Sequence, residues 1–415
     1  MNKLIIRNDF KVKLFKLTVY ISFFIILFSC IEQVEFAPIA TSSNLVVRAR
    51  ITNEVKTHTV EISRTIPINS STIKYEKNAS VFLTDDTGAT YNFQEVSDGI
   101  YNSVTPFAAE ENKKYELHIE TSNGLKYTST QESLPGLSTI GDINLSVEPN
   151  QFDPIDELVI KVNSNVTTDN GKYYRYEYDE TFEIKTPLWS RKKLLIISDS
   201  TPYEFELVDK TEEEDGIGFC YPNNKSKNIM LTETVTLAQD QVTGFPVRKI
   251  PIRSYFIGRR YSIFIKQYVI NQNTFDFYTL LNKFSSPDDI FSQTQVGNIP
   301  SNISAEINPT EDKVVGFFEV SSVSTKRIFI NRNEFTSEPF MNYRALVFCD
   351  EFVKPEIVDA SGLSPLLRRL NTGWIYQSLS EGPSDIPGGP YRLIRKPCGD
   401  CSHLGPVNPP DFWIE

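Results

Sequence analysis

The sequence predicts a mostly β protein: an N-terminal β-sandwich followed by a larger β-rich domain with one or two short helices. Three observations lead there. Apolar and polar residues alternate at period two along most of the chain, turn dipeptides punctuate the alternation, and one stretch alone carries a persuasive helical repeat.

Residues 1–29 are excluded from the fold. A basic start (Lys3, Arg7, Lys11, Lys13, Lys16) leads into LTVYISFFIILF, an apolar run too short to span a bilayer comfortably, and this reads as a secretory signal. It closes on Leu27-Phe28-Ser29-Cys30, which resembles a bacterial lipobox, although Phe28 is bulkier than the usual residue there. Cys30 is therefore the expected lipidation site, and residues 30–43 the tether. Each buried lipid methylene contributes about 0.8 kcal/mol, so several acyl chains on one cysteine anchor stably. The alternative is ordinary cleavage, with Cys30 an incidental thiol. Removing the signal takes away five bases and one acid, so the formal net charge of −11 becomes −15 over residues 30–415. Such a balance argues against nucleic acid or an anionic lipid surface as the partner. Glu32 and Glu35 follow Cys30 closely, a weak match to the surface-export signals of Bacteroidota lipoproteins.

From 44 to 135 the strands are LVVRARIT, THTVEISRT, ASVFLTDDTGATYNFQEV, GIYNSV and KKYELHIETSNGLKYTSTQ, broken by Asp86-Thr87-Gly88, Asp98-Gly99 and Asn123-Gly124. Asn-Gly is a strong hairpin signal because both central turn residues need positive φ. About seven strands in this span predict an Ig-like sandwich. The stretch LPGLSTIGD, Leu134 to Asp142, reads as the linker to a second domain over 136–415. That domain continues with DELVIKVNS, GKYYRYEYDETFEI, KKLLIIS, KNIMLTETVTL, RRYSIFIKQYVI, KVVGFFEVSS, KRIFINR and YRALVFCDEF. In NQNTFDFYTLLNKFSS, Phe275, Tyr278, Leu281 and Phe284 recur three apart, with Asn273 as candidate N-cap and Pro287 beyond the end. From Gly382 onward proline and glycine dominate, with few strand signals.

Several of these pieces, in order, resemble one family. LVVRARIT soon after a lipobox, NASVFLTDDTG with GIYNS, YELHIETSNGLKYTS, CYPNNKSKNIMLTE, RRYSIFIKQYVI, VGNIPSNI, VVGFFEVSSVSTKRIFI and the closing CGDC to PDFW look like the Bacteroidota lipoproteins of domain-of-unknown-function family 4249. The resemblance implies an outer-membrane or cell-surface lipoprotein, periplasmic or external in face, whose genes often neighbour those of TonB-dependent outer-membrane receptors. It supplies no catalytic residue and no cofactor. The front part also looks like the carboxypeptidase-regulatory-type sandwich.

The chemistry-bearing residues point the same way. Histidines are few: His58 shares strand parity with Val60 and Ile62 and reads as structural, His118 as solvent-facing, and His403 lies near cysteines. No GxSxG, HExxH or glycine-rich phosphate loop appears, so no catalytic or metal residue is assigned. The run Glu212-Glu213-Glu214-Asp215 reads as a solvated loop. Tyr174, Tyr176 and Tyr178 share one strand face, which either fills a β-core or forms a ligand or partner surface. Cys220, Cys349, Cys398 and Cys401 lie in an exported chain, which favours disulfides over a zinc site or a redox CxxC. Three pairings are open. The preferred one sends each tail cysteine back to Cys220 or Cys349; the other joins Cys398 to Cys401 and Cys220 to Cys349. Phe412 and Trp413 would then pack on the second domain as an apolar plug.

The expected function is non-enzymatic binding beside a TonB-dependent receptor, through a membrane anchor and without a cofactor. A structural or adhesive lipoprotein is the alternative, which loss of attachment on deletion would reveal. A hydrolase built on an unrecognised carboxylate pair is a third reading, separable by turnover screens.

Overall fold

In the computed structural model the described residues are 43–66, 70, 72–166, 171–211, 218–285, 300–309, 312–337, 349–380 and 388–414. The signal, Cys30, the tether and the Glu212–Asp215 run lie outside them, as does most of YRALVFCDEF. The mostly β prediction holds: twenty-five strands form five sheets among the described residues.

Strand Leu45–Thr52 follows its alternation closely, burying Leu45, Val47, Ala49 and Ile51. It pairs antiparallel with Thr59–Arg64 on one side, and the sheet continues through Ile100–Ser103, Thr90–Ser97, Ser80–Asp85, Lys114–Glu120 and Lys126–Ser129. These strands enclose a core of Val60, Ile62, Leu83, Tyr101, Tyr115 and Leu117 among others. The expected core over 44–135 is thus present, but it is not closed by those residues alone. On its other side Leu45–Thr52 pairs in parallel with the first half of Val314–Asn331, Leu45 opposite Val314 and Thr52 opposite Ser321. Ile303–Ala305 adds to the far edge of the sheet, beside Lys126–Ser129. Asn302 then bridges back: its Oδ1 accepts from the Phe318 amide at 2.8 Å and its Nδ2 donates to the Phe318 carbonyl at 2.9 Å. Ile303, Val314, Phe318 and Val320 therefore belong to the first core. The boundary drawn at 135 is corrected accordingly, and Asn44–Arg64 with Ile73–Glu415 form one compact unit.

Val314–Asn331, eighteen residues long, is the seam of this unit. Its second half runs antiparallel to Arg260–Ile270, which pairs with Tyr173–Phe182. A separate three-stranded sheet, Ile140–Glu148, Glu157–Ser164 and Phe245–Pro251, supplies the opposing layer. Leu158, Ile160, Val162, Val247 and Ile250 from that layer meet Tyr174, Tyr176, Ile263, Ile265 and Val269 in a second core. The linker read over Leu134–Asp142 ends early, because Ile140 already opens a strand and is buried.

One α-helix was clear in the sequence; the described residues hold three: Gln272–Ser285, Pro365–Leu370 and the single turn Lys396–Gly399. The first starts two residues earlier than expected. Asn271, not Asn273, caps it, its Oδ1 accepting from the Thr274 amide at 2.9 Å. Its most buried positions are Thr274 and Phe277, so the inward stripe is rotated from the predicted one, although Tyr278 remains on it. The proline-rich end also carries unpredicted order. Tyr391–Arg395 pairs with Trp374–Leu379 and Phe352–Val353 over a third core of Leu366, Trp374, Tyr376 and Leu393.

Candidate functional site

Four adjacent strands, Tyr173–Phe182, Arg260–Ile270, Val314–Asn331 and Leu45–Thr52, present one face to helix Gln272–Ser285. Period-two alternation turns Tyr174 and Tyr176 toward the second core, so the residues between and beside them, Arg175 and Glu177, point to the helix side. Register sets Arg175 opposite Tyr268 and Arg50 opposite Glu319. Four charges and two tyrosines thereby meet beneath the helix.

Glu319, 1% exposed, is the anchor. Its carboxylate accepts from Arg175 Nη2 at 3.2 and 3.4 Å, from Tyr278 Oη at 2.8 Å and from Ser321 Oγ at 2.7 Å. Glu177 accepts from Arg175 Nη1, from Arg50 Nη1 at 3.1 Å and from Tyr268 Oη at 3.1 Å. The Tyr268 ring lies 4.5 Å from the Arg50 guanidinium and 4.4 Å from that of Arg175, and Tyr278 is 4.8 Å from Arg175. Cations over aromatic faces gain from the ring quadrupole, more so away from water. Nε of Arg175 is buried without a hydrogen-bond partner.

The charge states follow. Burial opposes ionisation of Glu177, but the guanidiniums of Arg175 and Arg50 outweigh it and hold its carboxyl at about 2. Glu319 is likewise held below the ordinary range: burial pushes it up, and Arg175 first, then Arg50, pull it down. Burial would discharge Arg175, yet Glu319 and Glu177 keep it protonated. Burial raises Tyr268 and Tyr278 well above the usual phenol. Both carboxylates are ionised and both phenols protonated at neutral pH, with their polar atoms directed at one another. Such a network fixes geometry: it ties the first strand and the helix to the sheet across positions far apart in sequence.

A second buried knot, on the opposite face, has Glu180 accepting from Tyr261 Oη at 2.6 Å and from Arg248 at 2.9 and 3.0 Å. The tyrosine row is corrected here. Tyr174 and Tyr176 are fully buried, Tyr176 stacked on Phe245 at 5.0 Å and donating to Gln267 Oε1 at 2.8 Å, while Tyr178 is half-buried beside Arg248. Tyr174 and Tyr176 therefore fill a core, against which Tyr178 packs from its edge. Sequence reasoning missed Arg175, Glu177, Glu319 and Arg50. The signal was an acid inside the apolar run VVGFFEVSS, since a charge in a strand buried on both faces requires a partner.

The histidines behave as their strand positions suggest. His58 is buried, its Nε2 2.8 Å from the Phe107 carbonyl, and burial lowers its pKa to about 4. His118 stacks on Phe82 at 4.8 Å, and the exposed His403 ring sits 3.2 Å from the Asp400 carbonyl.

The terminal motif resolves into two disulfides, Cys220–Cys401 and Cys349–Cys398, each tail cysteine reaching back as preferred. Trp413 meets Tyr221 edge-on at 5.1 Å and Phe329 at 5.7 Å, and Phe412 lies under the Arg327 guanidinium at 3.5 Å. The plug is real, though Phe412 keeps 37% of its surface open to solvent.

These features define a mostly β, disulfide-stapled protein organised around a shared long strand and a buried ionic network. The chain belongs to the family described as Domain of unknown function (DUF4249), whose model matches residues 31–327. The match therefore takes in the long strand nearly to its end, with both arginines and both glutamates of the network. A search of curated proteins found no match to this chain.

Proposed function

We propose that the protein is a lipid-anchored component of an outer membrane or cell surface in Bacteroidota, attached through Cys30, that acts without catalysis as a binding accessory of TonB-dependent nutrient uptake. The observation that carries the extracytoplasmic part is the pair of disulfides, closing spans of 181 and 49 residues. Bonds of this kind persist in oxidising compartments, and they agree with the signal that ends at Cys30. The receptor association rests on the setting of the family that the sequence resembles. Recognition then runs through the anchored β-rich unit, presented to a receptor, to its cargo or to both. Two experiments test it. Labelled fatty acid enters the wild-type protein and not Cys30→Ala, and detergent-solubilised protein co-purifies with a TonB-dependent receptor. Recovery of an unlipidated, lone monomer under every growth condition overturns the reading.

A further inference from the structure

A cavity of about 280 Å³ opens between the hairpin Lys192–Ser198/Glu204–Asp209 and the strand Trp374–Leu379, well apart from the ionic network in sequence and in core. Lys192 and Lys193 begin the hairpin, Lys210 follows its end, and Lys396 opens the turn next to Cys398; all four line the cavity. Asp400 is the single acid among the described lining residues. In a chain with 53 acids against 42 lysines and arginines, the described lining of this cavity is net basic. Asp400 itself registers the field: burial would raise its pKa, yet the Ser402 hydrogen bonds and the charges of Lys396 and Lys210 depress it. The floor is apolar and firm. Leu370 contributes to it, as do Trp374 and Tyr376, 2% and 6% exposed. The Trp374 ring is itself held by the guanidiniums of Arg369 and Arg395, 5.1 and 4.5 Å from its centre, Arg395 being paired with Glu351.

We propose that this pocket binds a sugar-sized organic anion, one carrying a phosphate or carboxylate on a compact carbon skeleton. The volume sits at the lower limit of small-molecule sites, which suits a single monosaccharide unit and excludes a folded polymer. Lysines are point charges with rotatable donors and accept either anion without a fixed planar geometry. A cleft of one sign with low-dielectric walls concentrates the opposite ion, and the apolar floor receives the carbon skeleton. Lys192 is exposed and the Lys396 side chain is 52% open with its Nζ 3.6 Å from Asp400 Oδ2, so a ligand anion reaches Lys192 directly from solvent and shares Lys396 with Asp400. Cys398 and Cys401 bracket Asp400 and bind this part of the rim to Cys349 and Cys220.

The inference is independent of anchoring and receptor association, and either can fail alone. The test is calorimetric titration of the full detergent-solubilised chain with galacturonate and with glucose 6-phosphate, beside neutral glucose, inorganic phosphate and phosphatidylglycerol vesicles. We expect at least one sugar anion to bind, glucose to give no signal, and affinity to fall as salt is raised. The double variant Lys192→Gln/Lys396→Gln binds at least tenfold more weakly with an unchanged melting midpoint. If that variant misfolds, Lys192→Gln alone gives the same direction with a smaller loss. Silence with both sugar anions overturns the proposal, as does equal binding of glucose or inorganic phosphate, undiminished binding in the variants, or binding of vesicles only.

Discussion

Replacing Arg175 with methionine removes the guanidinium that serves both Glu319 and Glu177 while keeping much of its aliphatic bulk. Glu319 is then left almost fully buried with the Tyr278 and Ser321 hydroxyls as its direct donors. Breaking a buried pair from one side costs about 3–5 kcal/mol, because the remaining charge is desolvated without its counter-ion. Arg50 remains against Glu177 and within Coulombic reach of Glu319, which sets the expectation toward about 3 kcal/mol. Adding Glu319→Gln removes the orphaned charge and keeps an acceptor for both hydroxyls, so the double variant regains about 2 kcal/mol over Arg175→Met. Urea unfolding followed by tryptophan fluorescence, with disulfides intact, measures all four corners of the cycle. The pH dependence separates this account from a simple packing defect. In the wild type Glu177 and Glu319 have lowered pKa values, so their contribution is complete above about 4.5 and is lost as pH falls through the folded values, about 2 for Glu177. In Arg175→Met burial dominates at Glu319 and raises it, so that group stabilises below its unfolded pKa and loses this as pH rises. The gap between wild type and variant therefore widens from pH 5 to pH 7. A single-variant cost under about 1 kcal/mol, an additive double variant or a pH-independent gap refutes the reasoning.

Three further outcomes are expected. The unreduced protein shows no reactive thiol at Cys220, Cys349, Cys398 or Cys401, and reduction lowers stability by about 2–4 kcal/mol per bridge; thiol labelling and denaturation midpoints check both, and an unmoved midpoint counts against the staple. His58, lowered from 6.5 to about 4, contributes stability that is complete above 6.5 and lost as pH falls toward 4, at most about 3 kcal/mol. His58→Gln, which keeps a donor for the Phe107 carbonyl, flattens that limb of the profile, and identical slopes in both proteins rule the assignment out. Gly316 has φ +132°, and a Cβ there would lie 1.9 Å from the Val47 carbonyl oxygen, so Gly316→Ala drives the first strand off its parallel partner. A loss of more than about 3 kcal/mol follows, and a melting point within about 2 °C of wild type contradicts it.

Elements governed by local pattern were legible. The alternation of LVVRARIT gives the buried set of its strand, and Asn123-Gly124 lies in the turn before Lys126–Ser129, but only Gly124 takes positive φ, +82°, so the turn is not the two-residue type the dipeptide suggests. The paired cysteines follow from compartment and tail composition. What depends on which strands become neighbours was not legible. Nothing in residues 44–135 says that their first strand pairs with Val314–Asn331, because strand pairing at that separation leaves no local trace. The tyrosine row shows the same limit. Parity places Tyr174, Tyr176 and Tyr178 on one face, but whether that face is covered depends on the layer Ile140–Glu148, Glu157–Ser164 and Phe245–Pro251. Arg175, Glu177, Arg50 and Glu319 were hidden for a related reason: Arg175 and Glu177 read as a surface pair until Glu319 and Arg50, over a hundred residues away, are placed beside them.

The strand Val314–Asn331 also sets the order in which this chain can mature. Leu45–Thr52 emerges early, yet one of its edges finds its partner only after some 260 further residues have been delivered. Until then that edge offers unpaired amides to any neighbouring strand, and closing so long a loop makes the final pairing slow. A chain cut after residue 135 would keep most of the first core's side chains and still lack its last wall. For a polypeptide synthesised N-terminus first, the interval between those two events is a period of exposure, in which a holding chaperone or rapid delivery of the remaining chain guards against aggregation.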